Sequence, residues 1–560
     1  MIKSQLKKRV DACFEAGVDK GFWTAAGGEK YTVEVPKQEG QGDFSTNLAL
    51  VVAGIEKKNP REIAAHLVEM FSGSDDFVDK VNIAGPGFVN FFLNAQVWSS
   101  VLIPVFEKKE QFGLADIGNR EKGRVEDVSA NPTGPRSIGH GRNAILGDSI
   151  ARLLEAVGYD VTREYYFNDA GRQMRVLGAS TKARYLELLE LENEFPEDGY
   201  QGDYIYDIAR DIIDESGDSL KDADIELFRD KAQAAIFENI NTTLNNMGVH
   251  FDSYFNEHTL YEKGLVDSVV DDLRAKGLVY EKDDATWFKT SDFGQEQDRV
   301  IIKSTGEPTY RLPDIAYHQE KFRRGFKWMI NVFGADHIAT VPDVMAGVKA
   351  LGFDDSLVKV ILHQFVTITR EGKQVKMSTR KATFITVDEL LEEVGADVLR
   401  FFFLMRKADS QLEFDIDLAK KQSQENPVYY VQYAYARLCS IERQAQEKGI
   451  EIPDGTDAVS LDLLKETEEY ELLKVIADYP ALVTDAAADL APHRLLFYLM
   501  NLAGLFHSYY NKHKVIGDDV ELSSARLCFC RGLKTVFQTN DIEPVPKYRL
   551  QASTKTKPCC

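Results

Sequence analysis

The stretch VEDVSANPTGPRSIGHGRNAILGDSIARLLEAVGYDVTREYYF, residues 125–167, decides the fold of this chain. It begins with a short apolar run, Val125 to Ser129, and passes through a turn rich in proline and glycine. A helical repeat follows, with apolar residues on one side and Gly158 as its stop. A second strand, Val161–Phe167, completes a strand–loop–helix–strand unit. This order predicts a doubly wound parallel sheet of the nucleotide-binding type.

The loop of that unit, residues 129–143, lies where such folds bind nucleotides. The helix that follows it exposes unpaired N–H groups and a partial positive charge, which suit a phosphate. Gly139 and Gly141 have no side chain that would keep a nucleotide away. His140 can donate a hydrogen bond to a phosphate or ribose oxygen. Taken alone, a glycine-rich turn with His140 as its helix cap explains the same residues.

The composition predicts a multidomain protein with reduced cysteines. The chain has 560 residues, 44% hydrophobic and 28% charged, which suggests three or four domains with ample cores. A net charge of −22 argues against indiscriminate coating of nucleic acid, although residues 505–560 hold nine Lys or Arg against five Asp or Glu. Six cysteines, without a second pair at zinc-finger spacing, favour neither a disulfide framework nor a metal site. No apolar run reaches the ~18 residues of a membrane span, so we expect a cytoplasmic protein.

The composition and the predicted secondary structure divide the chain into three domains and one insertion. The predicted boundaries are 1–115 for a small α+β domain, 120–424 for the sheet domain, about 175–300 for an acidic helical insertion within it, and 425–560 for an α-helical domain. After the insertion, the second half of the sheet is expected to resume with Arg299–Ile302, Trp328–Phe333 and Val358–Ile368.

A second candidate loop, Lys376 to Lys381, follows a turn that begins at Arg370, and residues 370–381 read REGKQVKMSTRK. Cations on a mobile loop can neutralise the charge that builds on phosphates during in-line attack at the α-phosphorus. In isolation, a solvated Lys/Arg turn is the more ordinary explanation. The loop begins 376 − 140 = 236 residues after His140, at the far end of the second half of the sheet. Between the two loops, the apolar strand that ends in Asn331–His337 is a third candidate segment.

Both loops resemble those of class I aminoacyl-tRNA synthetases, and of the arginyl-tRNA synthetase family in particular. Asn-Pro-Thr-Gly-Pro ahead of residues 137–140 resembles the family's first motif, and residues 376–381 are similar to its Lys-Met-Ser-Lys-Ser loop. Ser137 stands where the family usually has histidine, and Thr379 where it has the second lysine. A serine is shorter and carries no charge, so activity depends more heavily on His140. Asp127 occupies a strand position that is usually apolar in the family.

The resemblance also implies which residues form the site. The expected catalytic residues are Ser137, Gly139, His140, Lys376, Ser378 and Arg380. The expected ATP-binding residues are Ala130, Asn131, Pro132, Thr133, Gly134, Pro135, Arg136, Ile138, Gly141, Gly334, Asp336, His337 and Met377. The expected arginine-binding residues are Asn131, Asn168, Tyr310 and Asp314.

Recognition of a guanidinium group requires a buried or half-buried carboxylate, often with an aromatic or hydroxyl partner. Tyr310 and Asp314 offer both within one segment. Without the resemblance, Asp314 would be interpreted as a helix cap. The assignment of arginine as the substrate therefore depends on the resemblance.

The resemblance implies a two-step arginine–tRNA ligase that uses ATP with Mg²⁺ on its phosphates, and needs bound tRNA before it activates arginine. Its partners would be L-arginine, ATP and tRNA(Arg), with no membrane, and the protein would be a monomer. The N-terminal region resembles a domain that contacts the tRNA elbow, and the C-terminal region resembles an anticodon-binding bundle. Two alternatives stay open: a class I enzyme for another amino acid, and a paralogue that binds tRNA without charging it, which Ser137 and Thr379 would fit. A charging assay with each amino acid separates them.

Overall fold

The computed structural model describes residues 2–26, 28, 30–38, 40–71, 76–129, 131–375 and 385–539. They form two compact units. One unit contains residues 2–114 with Val431–Asp485 and residues 498–539. The other contains Ala115–Tyr430 and Ala486–Phe497. All the described candidate residues for ATP and arginine lie in the second unit.

The N-terminal region builds an antiparallel sheet with helices against it. Its helices are α1 (Ile2–Asp19), α2 (Leu48–Glu56), α3 (Pro60–Phe71), α4 (Ala95–Ser99) and α5 (Leu102–Lys108). Its strands are β1 (Val33–Glu34), β2 (Phe44–Thr46), β3 (Val78–Ala84) and β4 (Phe88–Leu93), in the order β1-β2-β4-β3. In β4, Val89 and Phe91 are fully buried, as expected for the inward face of a half-buried strand.

The second unit contains a five-stranded parallel sheet. Its strands are β5 (Lys122–Glu126), β6 (Asp160–Phe167), β7 (Ser253–Asn256), β11 (Trp328–Gly334) and β12 (Val358–His363). Their order is β12-β11-β5-β6-β7, and all four pairings are parallel. The chain moves outward from β5 in one direction and from β11 in the other, so the strand order reverses between them. The carboxyl ends of these two strands therefore border the crevice in which such folds bind ligands.

The helices of this unit connect and cover the sheets. They are α6 (Ile138–Ala156), α7 (Arg172–Leu188), α8 (Asp203–Ser216), α9 (Ile225–Asn246), α10 (His258–Glu262), α11 (Leu265–Ala275), α12 (Arg311–Arg323), α13 (Val341–Leu351), α14 (Val387–Val394), α15 (Ala396–Leu404) and α16 (Ile416–Lys420). The predicted strand–loop–helix–strand unit is confirmed as β5, α6 and β6, and the doubly wound fold class is confirmed with it. Helix α6 is buried along most of its length because it packs between the sheet and α15.

Three details of the predicted sheet are wrong. Arg299–Ile302 is β10, which pairs antiparallel with β9 (Ala285–Phe288), itself paired with β8 (Val279–Lys282), in a separate sheet. The run Val358–Ile368 contains two strands, because the chain leaves the parallel sheet after His363. Its second part, β13 (Val366–Arg370), pairs with β14 (Lys373–Gln374) and β15 (Leu412–Asp415). The acidic insertion also supplies the edge strand β7, so it is not helical throughout.

The C-terminal region is helical, as predicted. Its helices are α17 (Pro427–Glu447), α18 (Thr467–Ala488), α19 (His493–Lys512) and α20 (Val520–Gln538). Within the first unit, these helices pack against the N-terminal region: the Phe112 and Tyr479 rings stack, and Lys474 Nζ lies 2.6 Å from an Asp43 carboxylate oxygen.

Candidate active site

The first predicted loop connects β5 to α6 at the crevice. Ala130 lies outside the described residues. Arg136 is buried and braces the loop from within, because its guanidinium donates to the carbonyls of Asn131 (2.9 Å) and Gly134 (2.7 Å). Tyr204 of α8 donates to the Thr133 carbonyl at 2.5 Å, which fixes the loop from outside. The loop backbone is therefore held by the side chains of Arg136, from within the loop, and Tyr204, from α8.

Three other described candidates belong to this segment. Pro132 and Pro135 lie in the loop, and Ile138 is the first residue of α6. Pro132 and Ile138 are buried, and Pro135 is half-buried. They shape the loop backbone, and any contact they make with a nucleotide remains a prediction.

His140 is held as a neutral hydrogen-bond donor. The backbone N–H of Ser137 donates to Nδ1 of His140 (3.2 Å), and the Ser137 hydroxyl lies 2.9 Å from the same nitrogen. A backbone N–H can only donate, so Nδ1 is unprotonated and the ring proton is on Nε2. Burial, helped by the charges of Arg136 and His363, lowers the pKa of His140 to about 3. Ser137 thus orients His140.

The two glycines of the motif have different surroundings. A Cβ on Gly139 would meet nothing nearer than the Ser137 Oγ, at 3.7 Å, so the space beside it is open to a ligand. A Cβ on Gly141 would stand 2.8 Å from Val387 and 3.2 Å from Phe403. The absence of a side chain at Gly141 thus lets α14 and α15 approach α6, which differs from the predicted clearance for a nucleotide.

The second predicted loop, with Lys376, Met377, Ser378 and Arg380, lies outside the described residues, as do Thr379 and Lys381. The described chain on its far side returns to the first loop. Thr386 pairs with Ser137 in an antiparallel bridge, and Val387 N–H donates to the Arg136 carbonyl at 3.0 Å. Residues 386 and 387 are therefore attached beside the first loop.

Gly334, Asp336 and His337 lie at the carboxyl end of β11. Gly334 is half-buried, whereas Asp336 and His337 are exposed, and the His337 ring stacks on Phe333 with centroids 5.2 Å apart. The residues thus face the crevice edge from the strand next to β5.

Asn143 was missed by sequence reasoning, although it connects three strand ends. Its Oδ1 accepts from Val128 N–H after β5 (2.8 Å), and its Nδ2 donates to the Val332 carbonyl in β11 (2.9 Å). The same Nδ2 lies 3.2 Å from Nε2 of His363, at the end of β12. The only sign of this role in the sequence is an asparagine in the first turns of a helix whose other residues are mostly buried. Asn143 keeps the carboxyl ends of three strands in register around the crevice.

Asp314 and Tyr310 lie at the start of α12. Tyr310 is the N-cap residue and is 68% exposed, so the alternative interpretation of Asp314 as the helix cap is wrong. Asp314 is half-buried in the first turn. Burial, followed by the charges of Glu257 and Glu126, raises the pKa of Asp314 to about 7. Asn168 is half-buried just after β6.

Glu257 is a second carboxylate that sequence reasoning missed. It is buried beside α10, and its backbone N–H donates to the Phe167 carbonyl at the end of β6. Burial and the charge of Asp169 raise the pKa of Glu257 to about 7, although hydrogen bonds from Tyr166 and Tyr261 oppose the shift. No pattern marked it, because it lies inside the acidic insertion among many solvated acids. Among the described residues neither carboxylate forms an ion pair, and the charge of Glu257 acts on Asp314.

A different set of buried charges in the same unit is well compensated. Lys321 Nζ and Arg124 Nη2 each lie 2.5 Å from the same oxygen of Glu126. Arg324 donates both terminal nitrogens to Glu164, at 2.6 and 2.8 Å, and Arg124 donates to Glu164 as well. Glu164 is therefore fully buried and engaged in ion pairs and hydrogen bonds.

Within the described residues, no group of three or more His, Cys, Asp or Glu side chains is arranged to hold a metal ion. None of their helices is both long and apolar enough to cross a membrane.

Comparison with known proteins gives matches along almost the whole chain. Family models match as an arginyl tRNA synthetase N-terminal domain (residues 1–93), a class I (R) tRNA synthetase catalytic domain (105–400) and a DALR anticodon binding domain (431–540). An arginine–tRNA ligase of Desulfotalea psychrophila is 64% identical over 539 residues, covering 96% of this chain and 98% of that protein. One of Salinibacter ruber is 47% identical over 525 residues, covering 90% and 93%.

Solved structures agree. One from Campylobacter jejuni, described as an arginyl-tRNA synthetase, has a TM-score of 0.72 at 34% identity and covers 79% of this chain and 97% of its own. The Thermus thermophilus arginyl-tRNA synthetase has a TM-score of 0.70 at 21% identity, covers 97% and 98%, and supports the fold alone.

Proposed function

This chain belongs to the arginyl-tRNA synthetase family, and we propose that it joins arginine to tRNA(Arg) in two steps at the carboxyl edge of its parallel sheet. In the first step, an oxygen of the arginine carboxylate attacks the α-phosphorus of ATP, and the bond to the departing pyrophosphate breaks. In the second, a ribose hydroxyl at the 3′ end of the tRNA attacks the carbonyl carbon of arginyl-adenylate, and AMP leaves. ATP enters with Mg²⁺ on its phosphates, so the ion belongs to the substrate.

The observation that carries the substrate assignment is the pair of carboxylates at Asp314 and Glu257. Both have a pKa raised to about 7, so their ionised forms are unfavourable in the free protein. A guanidinium group between them would supply the missing positive charge and donate hydrogen bonds in a planar fork. Tyr310, exposed at the helix start, would cover the bound side chain, and Asn131 and Asn168 would bind its polar backbone groups.

For ATP, the proposed contacts are those implied by the family. Nε2–H of His140 would donate to a phosphate oxygen as charge develops, and the open space at Gly139 would admit the nucleotide. The remaining ATP contacts would come from residues 130–136, Ile138, Gly141, Gly334, Asp336, His337 and Met377. Lys376, Ser378 and Arg380 would act on the phosphates in the transition state.

A charging assay tests this function. Purified protein, ATP with Mg²⁺, total tRNA and each radiolabelled amino acid in turn should give aminoacyl-tRNA with arginine alone. Labelling with another amino acid, or none, would contradict the proposal. We also expect pyrophosphate exchange to need tRNA(Arg), and full exchange without tRNA would contradict that part.

We further propose the domain division 1–115, 120–424 with the insertion at about 175–300, and 425–560. The first domain would contact the tRNA elbow and the last its anticodon. We propose a cytoplasmic monomer, and light scattering at a mass near the 63.1 kDa of one chain would support the monomer.

A further inference from the structure

Phe365 is an exposed aromatic side chain at the edge of the proposed catalytic site. It leaves 66% of its surface open to solvent and lies in the crossover between β12 and β13. Strands β13 and β14 then lead to residue 375, the last described residue before the second predicted loop. A single exposed apolar residue is ordinary on a protein surface, so exposure alone indicates nothing.

The backbone beside Phe365 is fixed by a buried arginine. Arg142 is 1% exposed and lies two residues after His140 in α6. Its Nη1 donates to the Gln364 carbonyl at 2.7 Å, and its Nη2 donates to the carbonyls of Lys407 and Ser410, both at 3.0 Å. Burial lowers the pKa of Arg142 to about 10. Removing a guanidinium group from water costs free energy. The hydrogen bonds of Arg142 hold the connection between β12 and β13 and the loop beside it.

Further backbone bonds complete the frame around the ring. Gln364 N–H donates to the Ala408 carbonyl at 2.9 Å, and Leu412 N–H donates to the Phe365 carbonyl at 3.3 Å. Val366 then pairs with Leu412 in the small sheet. The ring is thus exposed on a backbone that is held on both sides. Rigidly mounted aromatic side chains are typical of binding surfaces, because little conformational entropy is lost when a ligand binds.

Two exposed cations accompany the ring. Arg406 and Lys407 lie in the loop that Arg142 and Gln364 hold in place. Burial and the charges of Lys407 and Arg494 lower the pKa of nearby His493, with Asp409 acting in the opposite direction. Arg406 and Lys407 outnumber the neighbouring Asp409 in this loop, in a chain whose net charge is −22. A local positive surface of this kind suits the phosphates of a nucleic acid.

We propose that Phe365, Arg406 and Lys407 bind the single-stranded 3′ end of the tRNA, with the ring stacked on an unpaired base and the cations against the neighbouring phosphates. Aromatic stacking combined with cations along the backbone is the usual way of holding single strands. Through Arg142, the contact is joined to the helix that begins beside His140, so the bound nucleotides are those next to the reacting ribose. The inference rests on the proposed function.

Steady-state charging kinetics give the first test. Phe365→Leu keeps an apolar side chain and removes the stacking ring, so it should raise the KM for tRNA about tenfold, which is ~1.4 kcal/mol. The KM values for arginine and ATP and the melting temperature should not change. Phe365→Trp should stay within twofold of wild type. Leu357→Ala, exposed just before the amino end of β12, is the matched control and should have no effect.

Fluorescence identifies which nucleotide of the tRNA stacks on Phe365. tRNA(Arg) carrying 2-aminopurine at each of its last three positions in turn should be quenched at one position by wild type and by Phe365→Trp, but not by Phe365→Leu. The double variant R406Q/K407Q should flatten the dependence of log KM for tRNA on log salt by about 1.4, since each contact to a single strand contributes ~0.7. Lys282→Gln, exposed on the separate β8–β9–β10 sheet, is its control.

Unchanged KM and quenching in Phe365→Leu would overturn the proposal. A raised KM for tRNA in R406Q/K407Q but not in Phe365→Leu would also overturn it, because that result would indicate phosphate contacts without base stacking. Failure of the wild-type protein to attach arginine to tRNA would instead contradict the proposed function, while Phe365-dependent quenching in that protein would still support the RNA contact.

Discussion

Two sets of carboxylates in the same unit differ in how their charge is balanced. For Glu164, burial alone would raise the pKa, but hydrogen bonds from Arg324 and the charge of Arg124 lower it to about 2. For Asp314 and Glu257, the pKa is raised to about 7, and no described cation forms an ion pair with either. Glu164 lies in β6, whereas Glu257 and Asp314 lie at the starts of α10 and α12.

The difference separates charges that the fold satisfies from charges that a ligand must satisfy. Glu164 is neutralised as the chain folds, so it stabilises the packing of β5, β6 and α12. Asp314 and Glu257 stay unfavourable until a cation arrives, and such perturbed groups mark functional sites. Three predictions test this distinction, and a fourth concerns the first loop.

The largest effect is expected for Asp314→Asn, which keeps the size of the side chain and removes its charge. Arginine would lose one partner of a buried charged pair, so kcat/KM for arginine should fall about a thousandfold, or ~4 kcal/mol. The KM for ATP and the melting temperature should change little. Charging kinetics with arginine as the varied substrate measure this, and a loss below tenfold would place the guanidinium elsewhere.

Glu164→Gln should act on stability. It leaves the guanidinium groups of Arg124 and Arg324 without a buried counter-charge, which should lower the free energy of unfolding of this unit by about 3 kcal/mol. Urea denaturation followed by fluorescence measures it. Glu121→Gln, exposed just before β5, is the matched control and should be neutral. Equal stability of the two variants would remove the distinction between the carboxylate sets.

The pH dependence of arginine binding should follow the raised carboxyl pKa values. Binding needs ionised Asp314 and Glu257, so kcat/KM for arginine should fall about tenfold for each group per pH unit below 7. The shift also makes the arginine-free protein lose stability as the pH rises from the unfolded carboxyl value of ~4 towards 7, and arginine should reverse this. Kinetics from pH 6 to 8 measure the first effect, with Asp314→Asn expected to show a shallower profile. A flat wild-type profile would contradict the assigned charges.

The smallest effect extends the comparison to the first loop, where His140 is kept neutral. Ser137→Ala removes one hydrogen bond to Nδ1 but leaves the backbone N–H that orients the ring. We expect kcat to fall about fivefold, or ~1 kcal/mol, within the range of one hydrogen bond. Ser137→Thr, which keeps the hydroxyl, should retain activity. A rate for Ser137→Ala equal to wild type would show that the backbone bond alone suffices.

The parts of the site that could be predicted are those marked by sequence patterns within a few neighbouring residues. The first loop and α6 were predicted because helix starts, glycines and apolar periodicity act within a few residues of each other. β10 was assigned to the wrong sheet because an apolar strand shows no sign of which partner it will pair with. The close approach of Val387 to Gly141 could not be predicted, because that contact joins residues far apart in the chain.

Local pattern was thus enough for the fold class, for the loop around His140, and for Asp314 as a candidate once the family resemblance was used. Tertiary packing alone decided that Glu257 joins Asp314, that Glu164 is already neutralised, and that Arg142 fixes the backbone beside Phe365. The reason is that charge balance and burial depend on which distant segments meet. The sequence does not show whether a given carboxylate will pair with an arginine side chain of the protein or stay available for a bound ligand.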